Sequence, residues 1–210
     1  MTASGSRGND RRGRAAVVML TDFGRESFYV GAMKAAVIAV DPGAMIVDLT
    51  HDVRAFAVEQ ASFVLSLVFD LWVEGTVFLA VVDPGVGGDR ENLIVESAGR
   101  FIVGPDNGLV SDVAAKFGVR SVFAITEDGI ARVRKHRPAG RTFLGRDVFA
   151  PVAACLASGG DPDGIGRRID DYLRLALPEV EIGDGYVRGQ SRYVDGFGDV
   201  LTNISGDELV

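Results

Sequence analysis

Thr76–Gly88 reads TVFLAVVDPGVGG. Seven residues with a single polar member run into an aspartate set among proline and glycines. An apolar run that short, bounded by turn residues, predicts a strand buried on both faces. The same grammar recurs on either side. Ala16–Leu20 (AVVML) runs into Thr21-Asp22-Phe23-Gly24, and Met45–Leu49 predicts another strand. Leu93–Ser97 and Arg100–Val103 flank Ala98-Gly99 as a hairpin, which ends in Gly104-Pro105-Asp106-Asn107-Gly108. Ser121–Ile125 is a further strand. Between them lie helical patterns. In Glu26–Val40, Phe28, Ala32, Ala35, Ala36 and Ala39 recur at helical spacing, and the pattern stops before Asp41-Pro42-Gly43. Val58–Trp72, Leu109–Phe117 and Val148–Ser158 read as helices as well. Alternating strands and helices with apolar strands predict an α/β fold: a mostly parallel sheet with flanking helices.

After Gly159-Gly160-Asp161-Pro162-Asp163-Gly164 helical periodicity fades. Glu179–Ile182, Tyr186–Tyr193 and Val200–Ile204 read as short strands between glycine turns. The expected organisation is a leader over residues 1–14, an N-terminal α/β domain over 15–168, and the start of a small C-terminal β domain over 169–210. That last segment is too small to fold alone as a rule, and reads as incomplete.

Composition narrows the function. The chain has 210 residues, 47% hydrophobic and 24% charged, with a net charge of −7. A domain of this size holds a core without disulfides or metal. Cys155 is the only cysteine, and His51 and His136 are the only histidines, which excludes a cysteine-built zinc site and a multi-histidine centre. The acidic balance argues against nucleic acid as a partner. Residues 1–14 carry four Arg against one Asp and read as a disordered leader. Neither a signal peptide nor a membrane span is expected, because Ala61–Phe69 is the longest apolar stretch and Asp70 and Glu74 cut it. The expected setting is the cytoplasm.

In parallel sheets ligands bind outside the carboxyl ends of the strands. Three predicted strand ends present an aspartate in a glycine-containing turn: Asp22, Asp83 and Asp106. Gly85–Gly88 is not a phosphate loop, since no Gly-Lys-Ser/Thr follows and the next element is a strand. No Gly-x-Ser-x-Gly elbow is present. A hard-cation site built from Asp22, Asp83, Asp106 and His51 is one reading of the same edge, and would make the protein a metal-dependent hydrolase.

Six motifs, in order, resemble the S-adenosyl-L-methionine hydroxide adenosyltransferases, the adenosine-forming hydrolases related to fluorinase and chlorinase. They are Leu20–Gly24, Asp48–His51, Val81–Gly87, Gly104–Leu109, Thr142–Asp147 and Asp195–Asn203. The resemblance implies an N-terminal α/β domain, a small C-terminal β domain, and a homotrimer whose ligand lies between the first domain of one subunit and the second of its neighbour. It implies attack of water or hydroxide on the ribose C5′ of S-adenosylmethionine (SAM), with release of adenosine and L-methionine and no metal or redox cofactor. It assigns Asp83 and Arg90 to the hydrolytic set and Asp22 to the ribose hydroxyls. Phe143 becomes an aromatic packed on the ligand, Phe56 an aromatic near the methionine portion, and Asp195 a residue near the methionine amino group.

Three departures mark this chain. The family's Thr-Phe-His-Gly-Arg-Asp reads Thr142-Phe143-Leu144-Gly145-Arg146-Asp147, so Leu144 stands where the third member of the hydrolytic set would be a histidine. Leucine cannot take a proton, so a slowed hydrolase, or an adenosine- or SAM-binding protein without turnover, is a second expectation. His136, in the basic run Arg132–Arg137, reads as solvated. Asp199 stands in place of an asparagine, exchanging a donor-acceptor for an acceptor in a substrate-binding turn. The chain also stops where the family continues. The related halogenases lack the histidine too, but replace the Asp-Pro-Gly-Val-Gly loop that this chain keeps.

Overall fold

Strand residues that alternate between two helical layers leave almost no polar positions, and this governs the central sheet. The computed structural model describes residues 15–136 and 142–209; the expected leader over 1–14 lies outside them. Strands β1 (Ala16–Thr21), β2 (Met45–Thr50), β3 (Val77–Val81), β4 (Asn92–Ser97), β5 (Arg100–Pro105), β6 (Ser121–Ile125) and β7 (Gly166–Ile169) form one sheet in the order β2-β1-β3-β5-β4-β6-β7. β2, β1, β3 and β5 run parallel, while β4 and β7 are antiparallel to their neighbours. Val17 and Met19 of β1 face one layer and Val18 and Leu20 the other, all fully buried.

Helices α1 (Phe28–Val40), α4 (Glu127–Val133) and α5 (Ala150–Ala157) cover the first face; α2 (Val58–Val68) and α3 (Ser111–Phe117) cover the second. Ser27 caps α1, its hydroxyl accepting from the Tyr29 amide at 3.2 Å. A π-helical turn, Gly145–Phe149, leads into α5. α2 is shorter than its apolar pattern predicts. Beyond Val68 the chain tightens into a 3₁₀ turn, Phe69–Leu71, which drives Phe69 fully into the core against Phe78, ring centroids 5.0 Å apart.

Past β7 the chain forms two small hairpins: β8 (Glu181–Gly183) with β9 (Tyr186–Arg188), and β10 (Ser191–Val194) with β11 (Val200–Thr202). The run expected as one strand over Tyr186–Tyr193 is broken at Gly189-Gln190, and its halves pair with different partners. The second hairpin rests on α2 and α3: Arg192 donates to Asp112 Oδ2 at 2.9 Å, with its guanidinium over the Phe63 ring. No helix among the described residues is long and apolar enough to cross a membrane.

Candidate active site

β1 and β3 lie side by side, parallel and in register from Val17 opposite Val77 to Thr21 opposite Val81. Their continuations therefore leave the sheet at one edge, Asp22 directly after β1 and Asp83 two residues after β3. A cavity of about 430 Å³ opens between them, and its lining includes Asp22, Phe56, Asp83, Phe143 and Leu144.

Asp83 is buried and held bidentately by Arg90. Arg90 Nε donates to Oδ1 at 2.9 Å and Nη2 donates to Oδ2. Nη1 donates to the Glu91 carbonyl at 2.9 Å and to Asn92 Oδ1 at 2.8 Å, and the guanidinium carbon sits 5.6 Å from the centre of the Phe149 ring. Arg90 is thus fixed at nearly every donor, and it aims the carboxylate rather than swinging with it. Each Asp83 oxygen keeps a second lone pair, enough to accept from a water in the cavity. The turn that carries Asp83 is pinned from β5, where Asn107 Nδ2 donates to the Val82 carbonyl at 2.8 Å. Gly104 permits that approach: a Cβ there would run into the Ala80 carbonyl of β3.

Asp22 Oδ2 accepts from the Phe56 amide at 2.8 Å. Phe56 takes a φ of 65° and leaves its ring 66% exposed. A bulky residue held in that region costs about 1–3 kcal/mol, and such strain collects at ligand sites. Phe143 meets Tyr29 edge to face at 4.9 Å and Phe23 at 6.3 Å. These rings give the cavity apolar walls beside its two carboxylates. Leu144 adds to those walls and packs on the core behind them.

Two larger cavities flank this one. Phe56 is shared with a space of about 800 Å³ between the start of α2 and the second hairpin. Leu144 is shared with a space of about 710 Å³ beside Arg90 and Asp147. Only the smallest of the three brings Asp22 and Asp83 together.

The structure thus gathers Asp22, Phe56, Asp83, Phe143 and Leu144 around one cavity, with Arg90 gripping Asp83. Asp195 and Asp199 lie elsewhere, on the turn between β10 and β11. Asp195 Oδ1 accepts from the Phe197 and Asp199 amides at 2.8 and 2.9 Å, and Phe197 points out at 95% exposure. Tyr29, Val86 and Thr142 line the cavity without having been expected there. Tyr29 had a usable signal, since the first turn of the helix after β1 must sit over that strand's end.

The strand-end aspartates take separate partners. Asp106 Oδ1 accepts from the Leu173 amide at 2.8 Å. Burial, with Glu91 and Asp171 nearby, pushes its pKa above the usual carboxylate range. His51 turns to Thr21. Among the described residues no three His, Cys, Asp or Glu side chains converge to hold a metal. His136 is not solvated as its basic surroundings predict: Nε2 lies 2.9 Å from Oδ1 of the buried Asp147, which Arg146 also holds bidentately.

Residues 17–166 match the SAM hydroxide adenosyltransferase N-terminal domain. The chain is 31% identical to the (R)-S-adenosyl-L-methionine hydrolase of Methanocaldococcus jannaschii, over 92% of this chain and 68% of that protein. It is 37% identical to the Thermus thermophilus protein of the same name, over 90% and 74%. A solved structure of an uncharacterized conserved protein from Thermotoga maritima superposes with a TM-score of 0.87 at 38% identity, covering 91% of this chain and 72% of that one.

Proposed function

The chain belongs to the SAM hydroxide adenosyltransferase family, and from that premise we propose that it hydrolyses S-adenosyl-L-methionine to adenosine and L-methionine. Water attacks the ribose C5′. The O–C5′ bond forms, the C5′–S bond breaks, sulfur keeps the electron pair, and one proton is released. The sulfonium leaves as a neutral thioether, so the reaction needs neither a general acid nor a metal or redox cofactor. What remains for the protein is to place a water in line with the C–S bond and to receive its proton.

Support comes chiefly from one juxtaposition: the buried Asp83, gripped by Arg90, opens into the same cavity as Asp22. In this reading Asp83, aimed by Arg90, holds the attacking water. Asp22 accepts from the ribose hydroxyls, while Phe56 and Phe143 pack on the ligand. Leu144 supplies no base, so turnover is slow. Asp195 and Asp199 act from a second copy of the chain, within a homotrimer, the exposed Phe197 turn reaching over the neighbour's cavity.

Purified protein given SAM is expected to release adenosine and methionine in equal amounts, and Asp83→Ala to abolish this. Absence of adenosine above the uncatalysed background in the assembled protein would refute the hydrolase reading and leave a binding protein, which calorimetry with adenosine and SAM detects. Mixing inactive Asp83→Ala with inactive Asp195→Ala protein should restore part of the activity, because some sites then combine intact halves. No recovery in co-assembled subunits places both halves in one chain.

A further inference from the structure

Behind the cavity runs a chain of polar groups with no part in the roles above. Lys34 of α1 donates to Asp48 Oδ2 of β2 at 2.6 Å. Asp48 Oδ1 lies 3.0 Å from His51 Nε2, though that nitrogen, itself buried, has no aligned hydrogen bond. His51 is only 6% exposed, and its Nδ1 meets Thr21 Oγ1 at 2.8 Å. Thr21 is wholly buried, and its oxygen accepts from the Phe23 amide at 3.3 Å.

The Phe23 N–H can only donate, so Thr21 Oγ1 accepts there. Its hydroxyl hydrogen has no other acceptor among the described residues and is assigned to His51 Nδ1, which leaves the Nε2–H on the side of the Asp48 carboxylate. This tautomer is assigned from the network. A buried imidazole with one good hydrogen bond is an expensive way to fill space, and an apolar side chain would serve the core better. Its one firm contact leads to the Thr21–Phe23 turn, whose middle residue is Asp22. The two loops meet at further points: the Gly24 amide donates to the His51 carbonyl at 2.8 Å, Arg25 pairs with Asp52, and Phe56 binds Asp22.

We propose that His51 is a positioning residue of the site: through Thr21 it sets the peptide of Phe23, and with it the direction of the Asp22 carboxylate and the Phe23 ring. The inference rests on the reading that Asp22 holds the ribose. Ribose contacts are the same in ground and transition states, so loosening them raises KM more than it lowers kcat.

Steady-state kinetics with SAM test this in three variants. His51→Leu removes both nitrogens and should raise KM about tenfold, the worth of one buried hydrogen bond, with a smaller fall in kcat. His51→Asn returns a polar atom near the Nδ1 position and should recover most of that loss. Thr21→Val should match His51→Leu, and the double variant should add nothing, since both break one link. An unchanged KM in His51→Leu, or Asn performing no better than Leu, overturns the inference. Failure of the hydrolase reading looks different, because the unaltered protein then releases no adenosine. In that event hydrogen exchange at the Phe23 amide decides: lost protection in His51→Leu and Thr21→Val upholds the positioning role, and unchanged protection overturns it.

Discussion

The central sheet and the C-terminal hairpins are written alike, as short apolar runs between glycine turns, yet they end in opposite states. Every residue of β3 and β6 is buried, whereas β8, β9 and β11 contain no buried residue at all. Helices on both faces make the difference, since a strand of five residues buries itself only if something covers it. The hairpins have no layer of their own and are held by a few polar ties. Arg192 reaches Asp112, Asn203 Nδ2 donates to the Pro178 carbonyl at 2.8 Å, and the Gln190 amide donates to Asn203 Oδ1 at 2.7 Å. The groups proposed for chemistry therefore grow from the over-determined region. Those proposed for substrate selection, Asp195 and Asp199, grow from a region with surface to spare for a neighbour.

The sharpest test of this division lies at Leu144, the position where the resemblance to the family places a histidine. Leu144→His should raise the rate of adenosine release by about 10²–10⁴-fold, the usual contribution of a positioned base. Quench-and-chromatography rate measurements suffice. An unchanged rate would show that the deficit lies elsewhere, with Asp199 and the hairpin side the next place to look.

How much of this was legible follows the same division. TVFLAVV and AVVML announce themselves because burial on both faces leaves no polar residue to confuse the period. Asp22 and Asp83 followed from strand ends alone, since a parallel sheet presents all such ends at one edge. α4 was missed because Gly129 stands third among its seven residues and glycine reads as a breaker. The glycine is there because any Cβ would strike the Ile165 backbone where the chain enters β7. β7 itself, Gly-Arg-Arg-Ile, is an edge strand without an apolar pattern. The His136–Asp147 contact and the walls made by Val86 and Thr142 bring loop residues against one another or against the π-helical turn, and no local period encodes such meetings. The short strands expected at Glu179–Ile182, Tyr186–Tyr193 and Val200–Ile204 overlap β8 to β11, but their pairing was not legible, because nothing in Tyr186–Tyr193 marks where one hairpin stops and the next begins.

A second test acts on the polar tie itself. In Asp112→Ala the Arg192 guanidinium, only 9% exposed in the intact tie, loses its partner, and Ser62 loses an acceptor. Stranding one member of a buried pair costs about 3–5 kcal/mol, with the lower end expected here because a surface hairpin can swing into water. Urea unfolding measures the loss, and hydrogen exchange locates it. Fast exchange confined to β10 and β11 sustains the comparison. Equal loosening of β3 and β6 would show that sheet and hairpin unfold as one unit.

The smallest effect is expected at Asp106, where the chain turns from sheet edge to hairpin region by handing its carboxylate to the Leu173 amide. Its pKa is raised, chiefly by burial and further by Glu91 and Asp171, against the pull of the Leu173 hydrogen bond and Arg90. The folded protein therefore binds this proton more tightly than the unfolded chain. The stability it contributes is complete below the ordinary carboxylate pKa and is lost as pH rises through the raised folded value. At neutral pH the charged Asp106 is a liability. Asp106→Asn keeps the Oδ1 acceptor and removes the charge, so it should equal or slightly exceed the unaltered protein in thermal midpoint near neutrality. That advantage should vanish as pH falls towards about 4. A variant less stable near neutrality yet equal to the unaltered protein near pH ~4 would mean that the carboxylate's charge strengthens the bond to Leu173 by more than burial costs it. The junction would then be an electrostatic clasp of the same kind as Arg192–Asp112, and the hairpin region would be tied to the sheet by charge at both ends.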